Sequence, residues 1–149
     1  MPTIIAATDG SPSANAAVEL ALAEAHASNA TVEIVGAWSA PPNGTLGAPT
    51  YMSEEVFYAG RDATERILED AKARAAEGGI QVETHLVVGS AAVAICKLAE
   101  ERHADLIVMG SRGHGPLAAA LLGSVATHVV RDAHCPVMVV PDPARANGH

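Results

Sequence analysis

Five short apolar runs alternate along this chain with segments of helical periodicity, and that alternation leaves few folds open. The runs cover residues 4–8, 31–37, 81–88, 106–110 and 136–140. Consecutive strand–helix–strand units build a mainly parallel sheet with helices on both faces, and right-handed crossovers remove most remaining topologies. Hydrophobic residues make up 49% of the chain but aromatic ones only 3%, so the core must be made of Ala, Val, Leu and Ile. That is the composition of helices on a β-branched sheet, not of a β-sandwich. With 149 residues the chain has the size of one domain and can bury a core without metal or disulfide staples.

The helices carry their own start and stop signals. Ser11-Pro12 offers an N-cap and a first-turn proline, after which Ala17, Leu20, Ala21 and Glu24 run at helical spacing toward Asn29. A helix is expected over residues 54–77, with Val56, Ala63, Ile67 and Ala71 facing inward and Gly78-Gly79 closing it. Two more are expected over residues 91–101, with Val93, Ile95, Leu98 and Ala99 apolar, and over residues 124–132. Residues 39–53 hold Pro41, Pro42, Gly44, Gly47 and Pro49 without periodicity and form the one long loop, a candidate lid.

The stretch 106–125, LIVMGSRGHGPLAAALLGSV, runs from an apolar strand through a glycine-rich loop to Gly123-Ser124 at the start of an amphipathic helix. Gly110 and Gly113 permit a tight turn and close approach to a ligand, and the helix start offers unpaired N–H groups and the positive end of a dipole. This suits a phosphate. A P-loop is excluded, because Ser124-Val125 rather than Lys-Ser/Thr follows Gly123, and the first strand leads into TDGSPSA, which lacks a dinucleotide fingerprint. The loop must therefore work through backbone amides and the Ser111 and Ser124 hydroxyls. Arg112 and His114 are its only ionisable side chains; Arg112 can meet a terminal phosphate or water, while His114 between two glycines suits solvent.

Gly110, two residues, Gly113, nine residues, then Gly123-Ser124 is similar to the nucleotide-binding signature of the universal stress protein family, and the resemblance spans nearly the whole chain. It implies a domain over residues 1–141 with a flexible tail at 142–149, a five-stranded sheet in the order 3-2-1-4-5, and ATP or a related adenine nucleotide, with Mg or Mn as a candidate bridge between phosphates. That order sets Thr8-Asp9 beside Met109-Gly110, where an open α/β sheet binds its ligand. Carried over residue by residue, the site comprises Thr8, Asp9, Gly10, Ala37, Gly89, Met109, Gly110, Ser111, Arg112, Gly113, Gly123, Ser124 and Val125.

Asp9 would face ribose, adenine or a metal; otherwise it is a turn carboxylate capping its own loop. Ala37 would line the adenine pocket through its backbone, with Val35 as the alternative and Trp38 packing the following loop. The family often has proline after the glycine at the turn closing the third strand; here Gly89 is followed by Ser90-Ala91, and Ser90 can cap the helix instead. The resemblance further implies a regulatory, stress-related role and a homodimer through Val137–Val140, with a protein partner also open. A cyclic-nucleotide-binding member, a nucleotide-free interaction module and a weak ATPase stand as alternatives.

A formal charge of −8 disfavours nucleic acid and anionic membranes. No cationic start with an apolar core opens the chain and no apolar run is long enough to span a bilayer, so a cytoplasmic protein is expected. Cys96 and Cys135 lack CxxC spacing and suit reduced structural thiols. The histidines form no HExxH set, so no structural metal is expected, and neither HxGH nor SGGxDS follows the first strand. With no assigned catalytic residue and no evident base but Asp9, hydrolysis is expected to be slow or absent.

Overall fold

A computed structural model of the chain describes residues 1–38, 53–112 and 122–143. The elements are β1 (Thr3–Ala7), α1 (Pro12–Ser28), β2 (Thr31–Trp38), α2 (Glu54–Glu77), β3 (Val82–Val88), α3 (Ala91–Glu101), β4 (Leu106–Gly110), α4 (Ser124–Asp132) and β5 (Val137–Val140). The five strands form one sheet in the order β3-β2-β1-β4-β5, and every pairing is parallel. The α/β architecture and strand order expected from the sequence are thus present. Of the lid expected over residues 39–53, only Ser53 is described, and it caps α2; the rest lies outside the described residues.

Two cores flank the sheet. On one face Ile4, Ala6, Val32, Ile34 and Val108 meet the alanine stripe of α1 (Ala17, Ala21, Ala25) and the inner side of α2. On the other, Ile5, Ala7, Val35, Ile107 and Met109 meet Ala92, Ile95, Leu98 and Ala99 of α3 and Ala126 and Val129 of α4. Central β1 is apolar on both faces because helices cover both. Cys96 and Cys135 are free and half-buried against the second core, and burial pushes both thiols above the usual range, which makes them poor nucleophiles.

The inward face of α2 departs from the sequence expectation. Thr64, Leu68, Ala71 and Ala75 are the buried positions, whereas Val56 is 53% exposed and Ala63 is exposed. Thr64 can occupy the core because its hydroxyl donates to the Gly60 carbonyl one turn back, at 3.0 Å, leaving its methyl for packing. Ile67 is partly buried and sits under Gly10.

One charged side chain lies deep in the second face. Glu33 is 7% exposed, accepts from Arg102 Nε at 2.9 and 3.0 Å on its two oxygens, and lies 2.7 Å from His85 Nε2. Glu83 stands opposite it in the β2–β3 register, and donor atoms of Glu33, Glu83 and His85 lie within 4.8 Å of one another, but both Glu33 oxygens are already engaged by Arg102. Burial alone would raise the Glu33 pKa; the Arg102 and His85 partners overcome it and hold the carboxyl below the ordinary glutamate range. A carboxylate held low when folded adds stability above its unfolded pKa, and that stability is lost as pH falls through the folded value. Glu33→Gln should therefore cost about 1 kcal/mol at pH 7. In urea unfolding the gap to wild type should close as the pH is taken below about 4.5, where unfolded glutamate begins to protonate; a gap of constant size from pH 7 to 3 would contradict this.

Candidate functional site

The chain leaves β1 toward α1 on one face and β4 toward α4 on the other, so the carboxyl ends of these neighbouring strands open into a cleft. Its volume is about 370 Å³. One wall is apolar: Ala7 and Met109 from the strand ends, Val35 and Ala37 from β2, Ala91 and Ile95 from α3, Val125 and Ala126 from α4. Thr8, Asp9, Ser111, Arg112, Gly123 and Ser124 supply the polar side. Apolar lining with a few convergent polar groups at one end suits a ligand that is itself apolar at one end and charged at the other.

Short local bonds fix the polar end. Thr8 N–H donates to the Val35 carbonyl at 3.0 Å and Thr8 Oγ1 accepts from Gly10 N–H at 3.1 Å. Asp9 Oδ1 accepts from Ser11 N–H at 2.9 Å, the bond of a turn carboxylate, while the residue also lines the cleft. The two readings of Asp9 are thus compatible. Ser11 and Ser13 hydroxyls both donate to the Arg112 carbonyl, at 3.3 and 2.6 Å, tying the loop to the start of α1. Ser111 N–H donates to the Val140 carbonyl at 2.8 Å, and Ser111 O accepts from Gly123 N–H at 2.7 Å. Both described ends of the loop are therefore anchored, one to the other and each to the scaffold. Gly113 and His114 lie outside the described residues.

Gly110 lines the cleft, but its lack of a side chain serves the scaffold. A Cβ there would collide with Ser13 Oγ and approach Ala14 N and Ser13 C at 2.8 Å, so α1 comes this close to β4 only over glycine. Its φ is not positive, so it is the close approach and not the backbone conformation that calls for glycine there.

The starts of the four described helices differ in one respect. Ser11, Ser53 and Ser90 cap α1, α2 and α3 through their hydroxyls, whereas α4 begins at Gly123 with no side-chain cap. Gly123 has ordinary N-cap geometry, φ −64° and ψ 161°, so the missing cap comes from the residue and not from a distorted entry. The first amides of α4 and the positive end of its dipole thus face the cleft at Ser124 and Val125 without an internal acceptor side chain.

Of the residues expected from the sequence, Thr8, Asp9, Ala37, Met109, Gly110, Ser111, Arg112, Gly123, Ser124 and Val125 come together around this cleft. Gly10 and Gly89 do not line it. Gly10, at φ +80°, borders a smaller cleft with Asn15, Ile67 and Arg74, and Gly89, at φ +137°, closes the β3 turn by donating to the Trp38 carbonyl at 2.8 Å. Trp38 packs edge-on against Phe57 of α2, centroids 5.1 Å apart, and is not part of the lining. Ala7, Ala14, Ala91, Ile95 and Ala126 line the cleft without having been singled out. Ala91 and Ile95, four apart and so on one helix face, were the available signal.

Comparison with known proteins yields one family. Residues 1–141 match the model of the universal stress protein family. A universal stress protein of Thermus aquaticus is 38% identical over 138 residues, covering 93% of this chain and 97% of that protein. One from Methanocaldococcus jannaschii is 41% identical over 85 residues, 57% of this chain and 50% of that protein. Among solved structures, a universal stress protein in complex with cAMP superposes with a TM-score of 0.70 at 33% identity, covering 95% of this chain and 97% of that one. The universal stress protein of Archaeoglobus fulgidus in complex with dAMP gives a TM-score of 0.66 at 26% identity, covering 94% and 97%.

Proposed function

The chain belongs to the universal stress protein family, and from that premise we propose that its cleft binds an adenine nucleotide, ATP foremost, and that the protein acts as a nucleotide-dependent regulator in a stress response. The observation that carries this reading is the start of α4, the described helix that lacks a side-chain cap and whose first residues, Ser124 and Val125, line the cleft. Phosphates would take the amides of Ser124 and Val125 and the Ser124 hydroxyl, with Arg112 within the same lining and Mg or Mn as a candidate bridge. The base would lie on the aliphatic wall, its edge read by the backbone near Val35 and Ala37. Asp9 would meet the ribose while its other bond holds the turn. Gly113, as part of the signature, belongs to the same proposal.

The cAMP and dAMP complexes of the neighbours support an adenine ligand, and the first of them favours a cyclic nucleotide as the second reading. Mass spectrometry of nucleotide released from freshly purified protein, followed by calorimetry with ATP, ADP, AMP and cAMP, separates the two. ATP bound more tightly than cAMP is the expected result; cAMP alone, or no nucleotide, would overturn the ATP reading. Hydrolysis is proposed to be slow, since Asp9 is the only carboxylate or imidazole among the described residues of the cleft lining.

We further propose a cytoplasmic homodimer whose functional domain spans residues 1–141, followed by a short tail, with a protein partner reading its state. No described helix is long and apolar enough to cross a membrane. Among the described strands β5 lies at an edge of the sheet, and that edge would pair with a second copy about a twofold axis. Val137 and Val139 pack on one core and Met138 and Val140 on the other, so a lysine at any of these positions would perturb the fold as well as the edge. Sedimentation equilibrium of the unmodified protein at tens of micromolar, roughly the range where stable dimers persist, is the cleaner measurement, and a monomer mass there would refute the interface.

A further inference from the structure

Two arginine–carboxylate pairs in this protein are built differently. Arg102 grips Glu33 with Nε within 2.9 and 3.0 Å of its two oxygens, a fixed arrangement around a buried carboxylate. Arg112 in the cleft faces Asp142, just beyond β5, at 3.7 Å between Nη2 and Oδ2, close enough for an ion pair but beyond hydrogen-bond length. Both side chains are largely shielded, 22% and 25% exposed, so the attraction is not simply screened away. The Arg112 backbone is held independently, its carbonyl by Ser11 and Ser13, and the neighbouring Ser111 N–H by Val140. The guanidinium can therefore change partner while the chain beneath it stays in place.

We propose that Asp142 is an internal competitor for Arg112, and that the terminal phosphates of a nucleoside polyphosphate take the guanidinium from it. The proposal rests on the nucleotide reading of the cleft and adds a selection rule to it. A phosphate offers the guanidinium short charge-assisted hydrogen bonds that the 3.7 Å pair lacks, so the exchange is downhill for a ligand with phosphate to spare. A ligand without phosphate gains nothing from Arg112 and leaves the pair closed. Asp142 thus raises the threshold of negative charge that a ligand must bring, and the segment after β5 is released from Arg112 only when that threshold is met.

Calorimetry of ATP and adenosine with wild type, Asp142→Asn, Arg112→Gln and the double variant tests this. Asp142→Asn should tighten ATP about three- to fivefold, the size expected for removing one partly shielded ion pair, and leave adenosine unchanged. In the Arg112→Gln background the same change should have no effect on ATP. That arm matters because removing a nearby negative charge could by itself favour ATP; a gain that persists without Arg112 would overturn the exchange, as would equal gains for ATP and adenosine. Equal ATP affinity in wild type and Asp142→Asn overturns the competitor and leaves the nucleotide reading intact. No ATP binding by either protein overturns both.

Discussion

An aspartate in place of Gly123 is expected to leave the protein slightly more stable and unable to hold a nucleotide. The position has N-cap geometry, which aspartate adopts readily, and its carboxylate would accept from the open amides of α4 and sit at the positive end of the dipole. The gain should be about 0.5 kcal/mol in urea unfolding. The same carboxylate would occupy the place proposed for phosphate and repel it, which should weaken ATP on the order of a hundredfold or more by calorimetry. Opposite signs for stability and binding separate this from general damage. Unchanged ATP affinity in a folded Gly123→Asp protein would move the phosphates elsewhere.

Gly110→Ala should carry a large stability penalty, because there the methyl meets backbone rather than a side chain that could move aside. The added carbon meets the backbone at Ala14 N and Ser13 C, both 2.8 Å away, so α1 must move off β4. Overpacking of this kind costs roughly 1–3 kcal/mol, a fall of about 3–10 °C in Tm for a chain of this size. Because Ser11 and Ser13 hold the Arg112 carbonyl, the displaced helix start should also loosen the cleft. Gly78→Ala is the control: its Cβ would meet only Ala75 O, at 3.5 Å, and φ there is −85°, so no loss is expected. Equal melting temperatures for the two variants would refute the close-approach account.

Helix limits were legible where the chain carries chemical punctuation. Ser53 before Glu54 and Gly78-Gly79 after Glu77 mark α2 to the residue, and Ser90 and Gly123 mark α3 and α4 equally well. Strand ends were less legible because they depend on the neighbouring strand. Thr3 enters the ladder by pairing with Thr31, Trp38 by pairing with Val88, and Thr8 leaves it although its amide still reaches Val35. The buried face of α2 was misread since Val and Ile looked more apolar than Thr64, whose hydroxyl finds its acceptor within its own helix. The polar end of the cleft could be read from one contiguous glycine loop and one strand end. Its apolar wall could not: Ala7, Ala91, Ile95 and Ala126 come from three separate elements, and each looks like ordinary core until the sheet order brings them together.

The position of the lone tryptophan has an optical consequence. Trp38 is the single Trp of the chain, its ring set edge-on to Phe57 and so near Gly60 that no side chain fits between. It stands one residue beyond Ala37, yet on the α2 side of the strand end and outside the cleft lining. Intrinsic tryptophan fluorescence therefore watches the seam between β2 and α2 and not the wall on which a base would lie. An emission change on adding ligand would be a signal from that seam, carried there by movement of the chain rather than by contact with the ligand.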